Sequence, residues 1–251
     1  LETTGKARDV SDGETVTIAG TSGMPIGPEG HLNLSAEYQD RQDTNRTGYD
    51  PRRQYPLLAN GNVDPREFTF DRLSHRYGDA ETQDLKLFAN AGLPLSSAAE
   101  LYAFATYGWR DGESAAFYRL ANDARNFPGI YPDGFLPLIT SELEDYQVVG
   151  GVRGELGGFR YDLSANHADN QFDFRIINTL NRSFGAASPR AFDAGGLRYG
   201  QTLFNLDVSK DMQVGFVQEL TASAGLEYRE ETFRIRPGEF PSWGNGGIPG
   251  T

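Results

Sequence analysis

The sequence predicts an all-β protein in which about eight long strands pair in an antiparallel arrangement. Three observations support this prediction. Apolar and polar residues alternate with a period of two in eight segments. Glycine and proline are frequent, at 30 and 13 of 251 residues, which is unusual for a helical protein. Short turns and long connections alternate along the chain.

The alternation is clearest in residues 32–38, 159–165 and 220–229, where every second residue is apolar. Weaker copies are found in residues 16–18, 85–93, 101–109, 146–152 and 204–208. The clearest of these segments run over about eight to ten residues, whereas soluble strands usually run over about five or six. No window approaches the ~20 consecutive apolar residues that a membrane-spanning helix needs.

The connections between these segments are of two kinds. Short turns are predicted at about 21–29, 94–99, 155–158 and 211–216, and long connections at about 43–81, 111–141 and 175–197, with a Gly/Pro-rich tail after Thr232. Strict alternation places every second strand end on the same side. This layout is typical of an antiparallel transmembrane β-barrel with short periplasmic turns and long extracellular loops. A soluble antiparallel sandwich with one solvated face is the alternative.

The two sets of alternating side chains differ in polarity. The apolar set ends in aromatic residues, which suits a lipid-facing surface, and Ala222 is expected near the middle of its band. The opposite set, expected to line a lumen, contains Lys86, Arg110, Arg153, Arg160, Arg229, Glu37, Asp162, Asp207 and Glu227. Eight strands could close at a diameter of about 16 Å. A start without Met and a glycine-rich end favour an arc of a wider barrel, cut from a longer polypeptide.

Composition excludes several function classes. The net charge of −12 opposes a nucleic-acid partner, because binding to phosphates needs clustered basic residues. Without cysteine the chain has no thiolate ligand, thiol nucleophile or disulfide. No phosphate-binding loop, zinc-binding helix motif or serine-nucleophile motif is present, and the three histidines are far apart in sequence. We therefore predict no enzyme activity, no catalytic residues, no cofactor and no metal.

Several strings of residues, in their order and spacing, resemble a known family. They are LNLSAEY (32–38), TNRTGYDPRRQY (44–55), HRYGDAE (75–81), ELYAF (100–104), RDGES (110–114), FYR (117–119), IYPDGFLP (130–137), YDLS (161–164) and FDAGGL (192–197). Together they resemble the barrel region of TonB-dependent outer-membrane receptors. The resemblance covers nearly all of residues 1–251.

The resemblance implies a 22-stranded barrel with an N-terminal plug domain in the bacterial outer membrane. Residues 1–251 would be a partial barrel domain, without the plug, the TonB-contacting box and the last strands. Receptors of this family import scarce, large solutes such as ferric siderophores, cobalamin, haem or oligosaccharides. The implied partners are outer-membrane lipid, one such solute and the TonB complex, which would act through the missing N-terminal region.

The long connections contain the candidate solute-binding residues. Arginines recur among aromatic residues in 43–81, and guanidinium groups bind carboxylate or phosphate bidentately. Arg110 follows Trp109, so alternation directs it into the lumen, and Arg119 lies close to it in sequence. The candidates are Arg52, Arg53, Tyr55, Arg76, Tyr77, Arg110, Tyr118, Arg119 and Tyr131. The alternative is that the acids of the same stretch pair with its arginines and only fold the loop.

Two other functions remain open from the sequence. The chain could belong to a small outer-membrane β-barrel with adhesive or binding loops and no transport. It could also belong to an outer-membrane enzyme, which would need a nucleophile and a base at the rim. No cluster of Ser, His and Asp in the sequence supports the enzyme.

Overall fold

The computed structural model describes residues 2–4, 12–215 and 217–248. The strands are β1 (Glu2–Thr4), β2 (Thr15–Ile26), β3 (Gly30–Arg41), β4 (Glu81–Ser96), β5 (Ala99–Ala115), β6 (Arg119–Leu120), β7 (Gly134–Phe135), β8 (Leu138–Leu156), β9 (Phe159–Ile177), β10 (Ala191–Val214) and β11 (Val217–Pro237). Short helices span Pro65–Phe68, Arg182–Ala187 and Phe240–Trp243. None of the helices in these ranges is long and apolar enough to cross a membrane.

Nine strands form one antiparallel sheet in the order β1-β2-β3-β4-β5-β8-β9-β10-β11. Eight of these strands are long, from 12 residues in β2 to 24 in β10, and they contain all eight segments expected from the alternation. The only other pairing in the described part of the chain joins β6 to β7. A sandwich needs two packed sheets, so the all-β antiparallel prediction is confirmed and the sandwich alternative is not supported.

The connections alternate in length as expected. Short turns join β2 to β3, β4 to β5, β8 to β9 and β10 to β11. The long connections, 42–80, 116–137 and 178–190, lie at the opposite end of the strands together with residues 238–248. The β8–β9 turn has φ of 60° at Gly157 and 78° at Gly158, as a two-residue hairpin turn with both residues left-handed requires.

The extent of one predicted turn, 21–29, and several predicted loop boundaries were wrong. Gly20 and Gly23 lie inside β2, because the ladder with β3 continues through them and overrides their turn propensity. The second and third long connections are shorter than expected, since β8 begins at Leu138 and β10 at Ala191, whereas the first connection has its expected length. The tail also begins later than Thr232, because β11 continues to Pro237. At these strand ends the apolar side chains lie on the face that is polar in the rest of the strand. A pattern with one continuous apolar face therefore does not indicate that the strand continues there.

The register assigns each side chain to a face, because directly paired residues in an antiparallel sheet point the same way. One row across the sheet consists of Leu101, Val152, Leu163, Leu206 and Leu226. The adjacent row on the other face consists of Glu100, Arg153, Asp162, Asp207 and Gly225. The polar face lines a cavity of about 940 Å³ that touches six strands, so this face is concave.

The five bases expected on the polar face all have carboxylate partners there. The pairs are Lys86–Glu37 at 2.8 Å, Arg110–Asp84 at 2.5 Å, Arg153–Glu100 at 3.0 Å, Arg160–Asp211 at 2.9 Å and Arg229–Glu227 at 3.0 Å. The convex face carries the apolar set, including Leu34, Ala36, Leu163, Ala222 and Leu226. Ala222 is paired with Lys210 close to the short-turn end, so the expectation that it lies in the middle of the apolar band was wrong.

Candidate ligand-binding site at the long-loop end

Connections 42–80 and 116–137 are joined through Asp133. The Tyr55 hydroxyl donates to the Asp133 carboxylate at 2.9 Å, and the Tyr118 hydroxyl donates to its backbone carbonyl at 2.8 Å. Arg66 adds a hydrogen bond to the carboxylate at 3.2 Å and lies 4.0 Å above the Tyr55 ring. Burial raises the pKa of Tyr55 and of Tyr118 to about 12, so both remain neutral donors at neutral pH.

Residues 130–137 form a turn that contains Asp133 and so supports these contacts. Gly134 has a φ of +90°, and a side chain there would clash with the backbone carbonyl of Arg119. Phe135 is buried and its ring stacks 4.4 Å from that of Tyr131, whose hydroxyl donates to the Thr179 carbonyl at 3.4 Å. The string therefore fixes the relative positions of the long connections.

A substitution in this string should loosen both connections. We expect Gly134→Ala to destabilise them by about 1–3 kcal/mol, because an alanine is strained in the left-handed conformation and its Cβ would clash with the backbone carbonyl of Arg119. Gly48→Ala is the matched control, since a side chain at Gly48 would meet open space. Hydrogen exchange in residues 42–80 and 116–137 measures the effect. Equal exchange rates in the two variants would contradict the structural role of the string.

Five of the six arginines in the first long connection are held in ion pairs. The pairs are Arg46–Asp12 at 2.5 Å, Arg52–Asp50 at 2.7 Å, Arg66–Asp64 at 2.8 Å, Arg72–Glu67 at 2.8 Å and Arg76–Glu113 at 3.2 Å. Arg53 is exposed and makes no side-chain hydrogen bond or ion pair with the described residues. The geometry therefore favours the alternative in which the acids of this stretch fold the loop.

Three of the candidate residues meet in one aromatic cluster. His75 stacks on Tyr77 with ring centroids 5.4 Å apart and lies 5.9 Å from Tyr118 and 6.4 Å from Phe117. The Arg52 guanidinium lies 3.3 Å from His75 Nε2. A small cavity of about 310 Å³ opens beside this cluster. Arg52, Tyr77 and Tyr118 are thus brought together, whereas Tyr55 is buried beneath them.

This cluster should loosen on mild acidification. Burial lowers the pKa of His75 below its ordinary value of 6.5, so the open state binds a proton more readily than the folded state. The stability that neutral His75 contributes is present above about pH 6.5 and is lost as the pH falls toward the folded-state pKa. The Arg52 hydrogen bond lowers the pKa of Asp50, whose contribution is lost only in stronger acid.

We expect hydrogen exchange in residues 42–80, corrected for its intrinsic pH dependence, to increase between about pH 7 and about pH 5. His75→Phe should abolish the increase, because phenylalanine keeps the ring contacts and takes up no proton. His31→Phe is the control, since His31 lies at the short-turn end of β3. An increase that persists in His75→Phe would assign the pH effect to another group.

A second, larger groove of about 790 Å³ opens between 116–137, 178–190 and 238–248. Among the described residues, its charged lining residues are Arg119, Arg125 and Arg182, and no Asp or Glu of these ranges lines it. Apolar lining residues are Phe135, Pro137, Ile139, Ile176, Leu180 and Trp243. In a chain with a net charge of −12, a groove with three arginines and no carboxylate is a basic site in an acidic surface.

Arg119 is the arginine of this groove that has its donors available. It is half-buried, and its guanidinium makes no hydrogen bond or ion pair with any residue that the structure describes. Burial lowers its pKa, repulsion from Arg125 acts in the same direction, and attraction to Asp123 acts against both. Arg125 is held bidentately by Asp123, at 2.9 and 2.8 Å. An anion that accepted the Arg119 fork would relieve both the desolvation and the repulsion.

The structure separates two candidates that their short sequence distance suggested would meet. Arg110 lies on the concave face beside Asp84 and lines a cavity of about 550 Å³ between strands, whereas Arg119 lines the groove at the loops. Tyr131 packs on Phe135 at the groove, and Arg76 binds Glu113 elsewhere. The candidate residues therefore form several groups, of which the groove alone combines free donors with an acid-free lining.

The sequence did not indicate that residues 178–190 and 238–248 form the other side of the groove. Asn181 donates to the carbonyls of Pro241 and Gly244, both at 2.9 Å, and so attaches residues 238–248 to 178–190. Trp243 lines the groove from the attached segment 238–248. No signal in the sequence relates these segments, because they lie about sixty residues apart.

The described residues contain no group of three or more His, Asp or Glu side chains placed to hold a metal ion. No protein-family model matches the chain, and none of the curated proteins matches it.

Proposed function

We propose that this chain forms part of the barrel wall of a TonB-dependent outer-membrane receptor, which binds a scarce solute at its long-loop end and imports it. The strands are long enough for this role, because a tilted strand needs about ten residues to cross the apolar band of the outer membrane. β8 and β9 have 19 residues each. Their polar, ion-paired concave face suits a lumen, and their apolar convex face suits lipid.

Aromatic side chains on the convex face support this orientation in the membrane. Tyr107 and Trp109 lie toward the long-loop end, where their polar atoms donate to Glu144 at 3.1 Å and to Glu142 at 3.3 Å. Phe159 lies at the short-turn end, with the Lys210 ammonium 4.2 Å above its ring. Two such levels match the aromatic girdles of outer-membrane barrels, and the acids beyond Trp109 would lie in the external aqueous layer.

The observation that carries the proposed binding role is the acid-free groove with three arginines. It lies on the concave side, where a solute coming from the long-loop end would enter the lumen. Its positive potential would attract an anionic solute that the rest of an acidic surface would repel. A ferric siderophore with carboxylate groups or another anionic nutrient fits this chemistry better than a neutral glycan does.

The experiment that tests this proposal compares bacteria that produce the full-length protein with bacteria that lack it. Mass spectrometry of the spent medium identifies anionic solutes that only the producing cells deplete. We expect this depletion to stop when a protonophore collapses the inner-membrane gradient or when TonB is deleted. Depletion that survives both treatments would contradict energised import. Solute binding to the cells without any depletion would favour the small barrel with binding loops.

A further inference from the structure

On β8 to β11, the part of the concave face nearest the long connections carries apolar side chains, and the same row continues on β5 and β4 into the Arg110–Asp84 ion pair. Leu143, Phe172, Leu197 and Ile235 form one row across β8 to β11, and Tyr199 and Phe233 are paired in a neighbouring row. Phe174 packs on Phe172 with ring centroids 4.4 Å apart. We call these seven residues the concave apolar patch. The alternation of polarity is reversed here, since the convex neighbours include Glu142, Glu144 and Arg234.

The patch is open to solvent in the described structure. Phe233 and Ile235 on β11 are 61% and 71% exposed, and Leu197 and Tyr199 on the interior strand β10 are each 39% exposed. Contiguous exposed apolar surface of this kind marks an interaction site. The surface faces away from the apolar convex side, so membrane lipid on that side does not cover it.

The patch leads directly to the basic groove. Ile139 and Ile176 line the groove and are paired with each other on the same face as Phe174. From Phe172 to Ile176 the strand rises about 13 Å, at about 3.3 Å per residue. A molecule of that length could contact the patch with one end and reach Arg119 with the other.

We propose that the ligand of this site is a water-soluble amphiphilic anion. Its carboxylate or phosphate group would bind the Arg119 guanidinium, and its apolar body would cover the concave apolar patch. This inference rests on the proposed receptor function, because it names the solute class that the groove would receive. Charge complementarity selects the anion, and the register of Leu143, Phe172 and Leu197 beneath the groove selects the apolar body.

Isothermal titration of the full-length protein in lipid nanodiscs tests the proposal with two probes, octyl phosphate below its micellar concentration and inorganic phosphate. Protein-free nanodiscs correct for partition of octyl phosphate into lipid. We expect octyl phosphate to bind about tenfold or more tightly than inorganic phosphate, since burial of each CH₂ contributes about 0.8 kcal/mol. Equal affinities for the two probes would overturn the proposal.

Variants of the patch separate the two halves of the site. We expect Phe172→Ser and Phe174→Ser each to weaken octyl phosphate about fivefold and to leave inorganic phosphate unchanged, because both rings lie on the concave face of β9 within about 13 Å of Ile176 at the groove. Phe68→Ser is the matched control, since Phe68 is 81% exposed in connection 42–80. Unchanged octyl phosphate affinity in both patch variants would show that another part of the protein covers the patch.

The outcome also distinguishes this inference from the receptor function. Absence of octyl phosphate binding together with energised uptake of another solute would overturn the solute class and leave the receptor intact. Octyl phosphate binding that depends on Phe172 and Arg119 would support the solute class even if the cells showed no energised uptake.

Discussion

Arg119→Gln in the full-length protein is expected to weaken the apparent affinity for the imported solute about 5- to 150-fold. A charged hydrogen bond contributes about 1–3 kcal/mol, and glutamine retains neither the charge nor the fork of the guanidinium. The Arg119 guanidinium makes no hydrogen bond or ion pair with the described residues, so its loss should leave the fold and the amount of protein at the surface unchanged. Uptake measured against solute concentration gives the affinity.

Arg234→Gln is the matched control for this variant. Arg234 is an exposed arginine on the convex side of β11 that makes no ion pair within the described ranges. The Arg234→Gln variant removes the same charge from the same chain at a distance from the groove. An equal loss of affinity in both variants would indicate a general effect of charge, and unchanged uptake in Arg119→Gln would place the solute elsewhere.

Ala165→Arg is expected to lower the free energy of unfolding in lipid by about 2–4 kcal/mol, because it places a guanidinium on the lipid-facing side of a barrel strand. Ala165 lies on the convex face of β9, paired with Phe204 and Gly150 in the apolar band. Its neighbour Ser164 lies on the concave face next to Asp162 and is the control. Ser164→Arg should cost far less, because water and carboxylates are available there.

Urea-induced unfolding of the full-length protein in liposomes measures both free energies. Similar costs for the two variants would show that the faces are assigned wrongly or that the convex face lies in water. Ala222 is a poorer position for this test, because Lys210 already places a positive charge beside it.

The fold was predictable because most of each strand separates apolar from polar side chains. In β9, Leu163 and Ala165 alternate with Ser164 and Asn166, and this pattern alone indicates a strand with two different faces. The ends of β8 and β10 were not predictable. There the apolar residues lie on the concave face. Leu143 and Leu197 are therefore on the opposite face from the apolar residues nearer the short-turn end of the same strands.

The binding site was less predictable because its partners come from distant segments. Tyr55 and Asp133 are hydrogen-bonded although they lie 78 residues apart, and nothing in the sequence around either residue indicates the contact. Arg119 and Arg125 both lie near Asp123 in sequence, but the turn of the chain gives the hydrogen bonds of the carboxylate to Arg125, and Arg119 is attracted to it only from a greater distance. Sequence could therefore identify Arg119 as a candidate, whereas only the fold shows that its donors are available.

Spin labelling along β9 tests the central claim most directly, since the chain contains no cysteine that would compete for the label. Single cysteines at residues 163 to 166 of the full-length protein in liposomes carry the label, and electron paramagnetic resonance compares collisions with oxygen and with a water-soluble nickel complex. We predict strict alternation, with oxygen favoured at positions 163 and 165 and nickel at positions 164 and 166. Equal access of the nickel complex to all four positions would contradict a membrane-embedded wall.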